Sequence, residues 1–123
     1  MQKEAMEQRN LIKYCNLRHI EIFAIPNGGR RNPKEAYFLK LEGCSAGVPD
    51  LCVPIPKGKY HGLFIELKVG KNKASENQKA WINYLNSVGY LAVVCYGCDK
   101  SIELIERYIK LEPNQELLSF EQK

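Results

Sequence analysis

Between Gly47 and Val69, two apolar runs flank a loop of turn residues, and the charges inside the runs lie at the ends a hairpin would bring together. The first run is Gly47-Val48-Pro49-Asp50-Leu51-Cys52-Val53, and the second is Gly62-Leu63-Phe64-Ile65-Glu66-Leu67-Lys68-Val69. Runs of this length, bounded by Pro and Gly, predict two strands of a buried sheet. Alternate side chains on a strand share a face. Glu66 and Lys68 therefore share a face with Phe64, while Leu63, Ile65 and Leu67 form the other. Antiparallel pairing would place Asp50, at the start of one strand, beside Glu66 and Lys68, at the end of its partner.

An ionised carboxylate in an apolar sheet is costly unless it is paired or binds a metal. Two carboxylates and an amine at one sheet end predict a divalent-cation site. Oxygen donors of this kind suit Mg²⁺ or Mn²⁺. Spacing alone also allows a plainer reading: a Glu66–Lys68 ion pair at the sheet rim, with Asp50 a turn residue after Pro49.

A chain of 123 residues is enough for one domain with a real core. Apolar content of 45% and charged content of 26% are ordinary for a globular protein. No apolar run is long enough to span a membrane, and the polar start Met1–Glu4 predicts no export signal. The formal charge of +4 suits a polyanionic partner better than a cationic one. Five cysteines, an odd number, predict reduced thiols in a cytoplasmic compartment. Cys95 and Cys98 sit between a strand and a helix, where a redox pair would lie. With no further metal ligands nearby, they read instead as small apolar residues closing a core strand.

Along the chain, Met6, Leu11, Tyr14 and Cys15 predict a helix over 2–17. Glu4 and Glu7 in its first turns are also what a helix dipole favours. A strand is expected over His19–Ile25, broken by Pro26-Asn27-Gly28-Gly29. Arg30-Arg31-Asn32-Pro33-Lys34 reads as a basic, phosphate-contacting loop on the Asp50 side. Residues 35–43 fit either a short helix or an extended loop. The lysines of the 54–61 loop read as solubilising. Lys71 and Lys73, in the loop after Lys68, flank the reacting end of the strand and are expected to contact phosphate. Ser75-Glu76-Asn77-Gln78 is a capping-box pattern opening a helix. Trp81 is expected in its core stripe, and Tyr84 faces either the site or solvent. Tyr90–Tyr96 predicts a central strand covered on both faces, parallel to the Glu66 strand. Asp99 is expected to cap a last helix through Ile102, Ile105 and Ile109.

Pro49-Asp50 followed by Glu66-Leu67-Lys68 resembles the PD-(D/E)XK nuclease motif. With Gly47-Val48, Ser75-Glu76-Asn77-Gln78 and Val88-Gly89-Tyr90, the chain is similar over nearly its whole length to the virus-type replication-repair nuclease (VRR-NUC) domain. The resemblance implies an α/β fold: a restriction-endonuclease-like core, α-β-β-β-α-β with a C-terminal helix, its mixed sheet flanked by helices. It implies a nuclease domain over 1–110; the tail over 111–123 holds the apolar Leu117, Leu118 and Phe120, which are expected to pack on the body or on a second subunit. It implies Asp50, Glu66, Lys68 and Gln78 as catalytic residues, Gln78 also being a candidate cap. Asp50, Glu66, the Leu67 carbonyl and Glu4 are the implied metal ligands; Glu4 is preferred over Glu7 because Gln8 follows it by one turn. Asn27 matches a family asparagine and joins Arg30, Arg31, Lys71 and Lys73 as expected DNA contacts. The implied cofactor is Mg²⁺ or Mn²⁺, with no small-molecule cofactor and no membrane. The implied partner is branched DNA, a four-way junction or a flap. Stand-alone phage members of the family further imply a homodimer in the cytoplasm of a bacterial host cell. A catalytically inert DNA-binding module of the same fold is the other class of reading.

Overall fold

The computed structural model describes residues 2–26 and 32–117. Helix α1 spans Gln2–Leu17, as its periodicity predicts. It ends where His19 turns left-handed, with φ at 59°. The Ile20 N–H then donates back to the Cys15 carbonyl at 2.8 Å. Closures of this kind press the residue after the turn onto the last helical turn, and Ile20 and Cys15 are both buried in the core. This turn consumes most of the strand expected over His19–Ile25. Only Phe23–Ala24 is strand, as β1.

Helix α2, Pro33–Leu41, settles the segment that fitted either helix or loop. Asn32 accepts from the Glu35 N–H at 2.8 Å, and Glu35 reaches back to the Asn32 N–H. Lys34, expected in a basic turn, therefore lies in the first turn of a capped helix. None of the α2 residues is buried.

Strands β2, Leu51–Val53, and β3, Leu63–Lys68, pair antiparallel, with Leu51 opposite Ile65 and Val53 opposite Leu63. Helix α3, Glu76–Ser87, supplies the crossover to β4, Leu91–Tyr96, which runs parallel to β3 from the Leu63–Leu91 pair to the Lys68–Tyr96 pair. The sheet order is β1-β2-β3-β4. Among the described strands β4 is thus at the edge, and the expectation of a central strand is corrected, although α3 and α4 both pack on it. Its apolar character comes from helices rather than from a further strand. Asn86 of α3 stands in for that strand: its Oδ1 accepts from the Ala92 N–H at 2.9 Å, and its Nδ2 donates to the Ala92 carbonyl at 3.1 Å. Occupying the Ala92 groups makes that part of the edge a poorer template for unwanted pairing.

Helix α4, Gly97–Ile109, packs against α1 and across β3 and β4. Leu11, Leu63, Ile65, Leu104, Ile105 and Tyr108, all fully buried, close the core on that side of the sheet. Beyond α4 the chain folds back on the 57–60 turn. The Lys59 N–H donates to the Gln115 carbonyl at 3.0 Å, Lys59 Nζ lies 3.2 Å from Glu116, and Leu117 packs on the core. Lys59 of the 54–61 loop, read as solubilising, therefore also anchors the tail to the body. Leu118 and Phe120 lie outside the described residues. Among the described residues no helix is long and apolar enough to cross a membrane.

Candidate active site

The entry to β2 is shaped by Gly47. Its φ is +93°, and a Cβ there would fall 2.5 Å from the Asn77 carbonyl carbon. Only glycine allows the lead-in to β2 to lie this close to the first turn of α3. Pro49 follows, fully buried, and then Asp50. The Asp50 carbonyl accepts from the Ile25 N–H at 2.7 Å. Its side chain takes over where the β2–β3 ladder stops: the Leu67 N–H donates to Asp50 Oδ2 at 2.9 Å. Asp50 is therefore held through backbone and side chain at the end of the hairpin.

Glu66 lies on the same side of the sheet. It is only 1% exposed, and its carboxyl group is near enough to that of Asp50 for the two to interact electrostatically. Lys68 Nζ sits 3.4 Å from Glu66 Oε2. Buried Glu66 Oε1 has no hydrogen-bond partner. Burial, reinforced by the neighbouring Asp50 charge and opposed by Lys68, pushes the Glu66 carboxyl up to about 8. Burial also raises Asp50, against the lowering effects of the Leu67 N–H, of Glu66 and of Lys68. The plainer ion-pair reading does not balance here, because one ammonium faces two carboxylates. Without a cation the pair is relieved by retaining a proton. An orphaned buried oxygen beside a second carboxylate fits a hard divalent cation, which usually takes one or two carboxylates and completes its shell with water and phosphate. Among the described residues no three acid, histidine or cysteine side chains gather as a metal cluster. Asp50 and Glu66 therefore form a two-acid site that Glu4 does not join as a third clustered side chain.

The first helix uses its two acids differently. Glu7 Oε1 accepts from the Cys98 N–H at 2.6 Å and so occupies the N-terminus of α4. The first turn of α4 has no side-chain cap of its own, and an acid is favoured there by the helix dipole. Asp99, expected to cap this helix, lies within its first turn instead. Glu7 is thus engaged in structure, and Glu4, half-buried one turn earlier, has no such role. Sequence reasoning missed the Glu7 contact because nothing local links residues 7 and 98.

Gln78 does cap its helix. Its Oε1 accepts from the Ser75 N–H at 2.8 Å, while Ser75 Oγ accepts from the Gln78 N–H at 3.2 Å. The same turn abuts Gly47, so the cap lies beside the β2 lead-in. Lys71 and Lys73 are exposed, and the loop that carries them is tied down by Tyr96 Oη, which donates to the Asn72 carbonyl at 2.7 Å. Asn27, Arg30 and Arg31 lie outside the described residues. Trp81, expected in the core, is only partly buried; it meets the 56% exposed Tyr84 edge to face at the surface of α3. Cys95 and Cys98 are both buried, and burial pushes the Cys98 thiol up and Cys15 to about 11. Thiols of this kind are poor nucleophiles at neutral pH, in keeping with a core role.

A small mixed sheet with an acid, a second acid and a lysine at the end of one hairpin is the arrangement of a PD-(D/E)XK-type nuclease. The family model of the VRR-NUC domain matches residues 3–99, and the chain belongs to that family. A solved structure described as a VRR_NUC domain protein is similar throughout: TM-score 0.82 and 33% identity, covering 94% of this chain and 97% of that one. A search of curated proteins finds no match.

Proposed function

We propose that the chain is a divalent-cation-dependent, structure-specific DNA endonuclease that acts as a homodimer on four-way junctions, in the cytoplasm of a bacterial or phage-infected cell. The observation that carries the reading is the Asp50–Glu66 pair, a buried carboxyl beside a partly buried one, with a single lysine 3.4 Å from the buried one. Asp50, Glu66 and the Leu67 carbonyl would hold the cation, with Glu4 reaching it through water. When bound, Mg²⁺ or Mn²⁺ lowers the pKa of water and neutralises charge on the scissile phosphate. As an ammonium, Lys68 Nζ would orient the attacking water and steady charge in the transition state; it could deprotonate that water only after giving up its own proton. Gln78 fixes the first turn of α3 at the lip of the site. Lys71 and Lys73, with Asn27, Arg30 and Arg31, supply backbone contacts. The chain has no sequence-reading module, so recognition rests on DNA shape. A two-fold dimer matches a substrate with two-fold symmetry. Flap or single-strand cleavage is the second reading, favoured by the aromatic pair on α3.

The test is cleavage of labelled junction, flap, single-stranded and duplex DNA, with and without Mn²⁺. Asp50→Ala should lose about 10²-fold or more in rate, as removal of a preorganised charged group does, while still binding DNA. Full cleavage by that variant would overturn the site. Preference for the flap over the junction would select the second reading.

A further inference from the structure

The aromatic pair on α3, exposed Tyr84 and partly buried Trp81, has no part in the chemistry described above. Its placement follows from Gly47. The Asn77 Cβ lies 2.8 Å from where a Gly47 side chain would begin, so this side of α3 looks toward the β2 lead-in, three residues before Asp50. Residues three, four and seven positions further on share that helix face, and these are Ala80, Trp81 and Tyr84. They bound an open cleft of about 270 Å³. The two rings meet edge to face, 5.9 Å apart at 87°, which leaves ring surface available to a ligand. Trp81 lies about 6 Å along the helix axis from Asn77.

The surrounding charge separates the possible occupants. Lys71 and Lys73 are exposed on the loop that runs into α3, and Lys68 lies at its root. Cations leading to an aromatic surface suit phosphates followed by a base, whereas an apolar protein patch gains nothing from them. We propose that Trp81 and Tyr84 form a stacking platform for an unpaired DNA base on the α3 side of the site. The proposal rests on the nuclease reading for the identity of the polymer. It favours the second reading, DNA with an unpaired nucleotide at a flap base or in a single strand, over a fully paired junction or continuous duplex.

Trp81 is the only tryptophan, so its emission reports on the platform alone. The experiment titrates a short labelled oligodeoxynucleotide into the full chain, with Ca²⁺ in place of Mg²⁺. Trp81 emission and label anisotropy are recorded together. Single-stranded DNA should quench Trp81 along the anisotropy isotherm, and paired duplex should not. Tyr84→Ala and Trp81→Ala should each weaken single-strand binding roughly tenfold, and Trp81→Phe should weaken it less. DNA binding with unchanged emission and unchanged affinity in Tyr84→Ala overturns the platform and leaves the nuclease reading intact. No DNA binding by the wild-type chain overturns both. Conversion of a dimer to a monomer by Tyr84→Ala, seen by sedimentation, makes the patch a subunit interface and also overturns the proposal.

Discussion

The two faces of β3 are built from alternate residues of one six-residue strand, and they obey opposite rules. Leu63, Ile65 and Leu67 are all fully buried. The other face carries Phe64, Glu66 and Lys68, and there a buried carboxylate sits against a second acid with one oxygen unsatisfied. The first face stabilises the fold. The second costs stability, and that cost is what makes a cation welcome. Because the side-chain period of a strand is two, neither face can shift without the other. The apolar face fixes the register that puts Asp50 beside Glu66.

The comparison breaks most readily on the apolar side. Ile65→Ala should destabilise the chain by about 2–5 kcal/mol, the usual cost of deleting a fully buried branched side chain, measured as a urea midpoint. Cleavage by the fraction still folded should remain. A smaller loss than that of an exposed-site control would mean that the face is not closed.

The polar face should respond to pH with the opposite sign to an ordinary stabilising ion pair. Folded Glu66 titrates near 8 rather than its usual 4.5, so the native chain holds more protons than the unfolded chain in between. In a chelator, stability should fall as pH rises through that window and level off above it. Asp50, also raised, adds to the fall. Glu66→Gln should flatten the profile, matching wild type near pH 5 and exceeding it at pH 8. A wild-type chain that gains stability over the window would contradict the burial argument.

The smallest effect sharpens the contrast between two acids. Glu7 is satisfied by the Cys98 N–H, so Glu7→Ala should cost about 1 kcal/mol, as loss of a helix cap does. Glu7→Gln should recover part of it, and neither change should alter Mn²⁺ affinity. A marked loss of Mn²⁺ affinity in Glu7→Gln would move the third acid from Glu4 to Glu7.

Local pattern explains which parts of the molecule could be read from the chain. The α1 limits, the β2–β3 hairpin and the Ser75–Gln78 box depend on neighbours a few residues apart, and the sequence carries them openly. The Asn32–Glu35 capping box was equally local, but the basic residues around it masked it. Long-range contacts left no such trace. The apolar run of β4 signals burial without saying whether a strand or a helix provides it, and here Asn86 closes the edge. Trp81 reads as core because a helical stripe is the same whether it faces a sheet or a surface cleft. The Asp50–Glu66 pairing was legible because strand alternation and antiparallel register are rigid rules.

The most direct test of the central claim is Mn²⁺ titration calorimetry on wild type, Asp50→Asn and Glu66→Gln, with folding checked by circular dichroism. Two acids sharing one cation predict binding by the wild-type chain and its loss in both folded variants. Undiminished Mn²⁺ affinity in either variant, or none in wild type, would contradict the account.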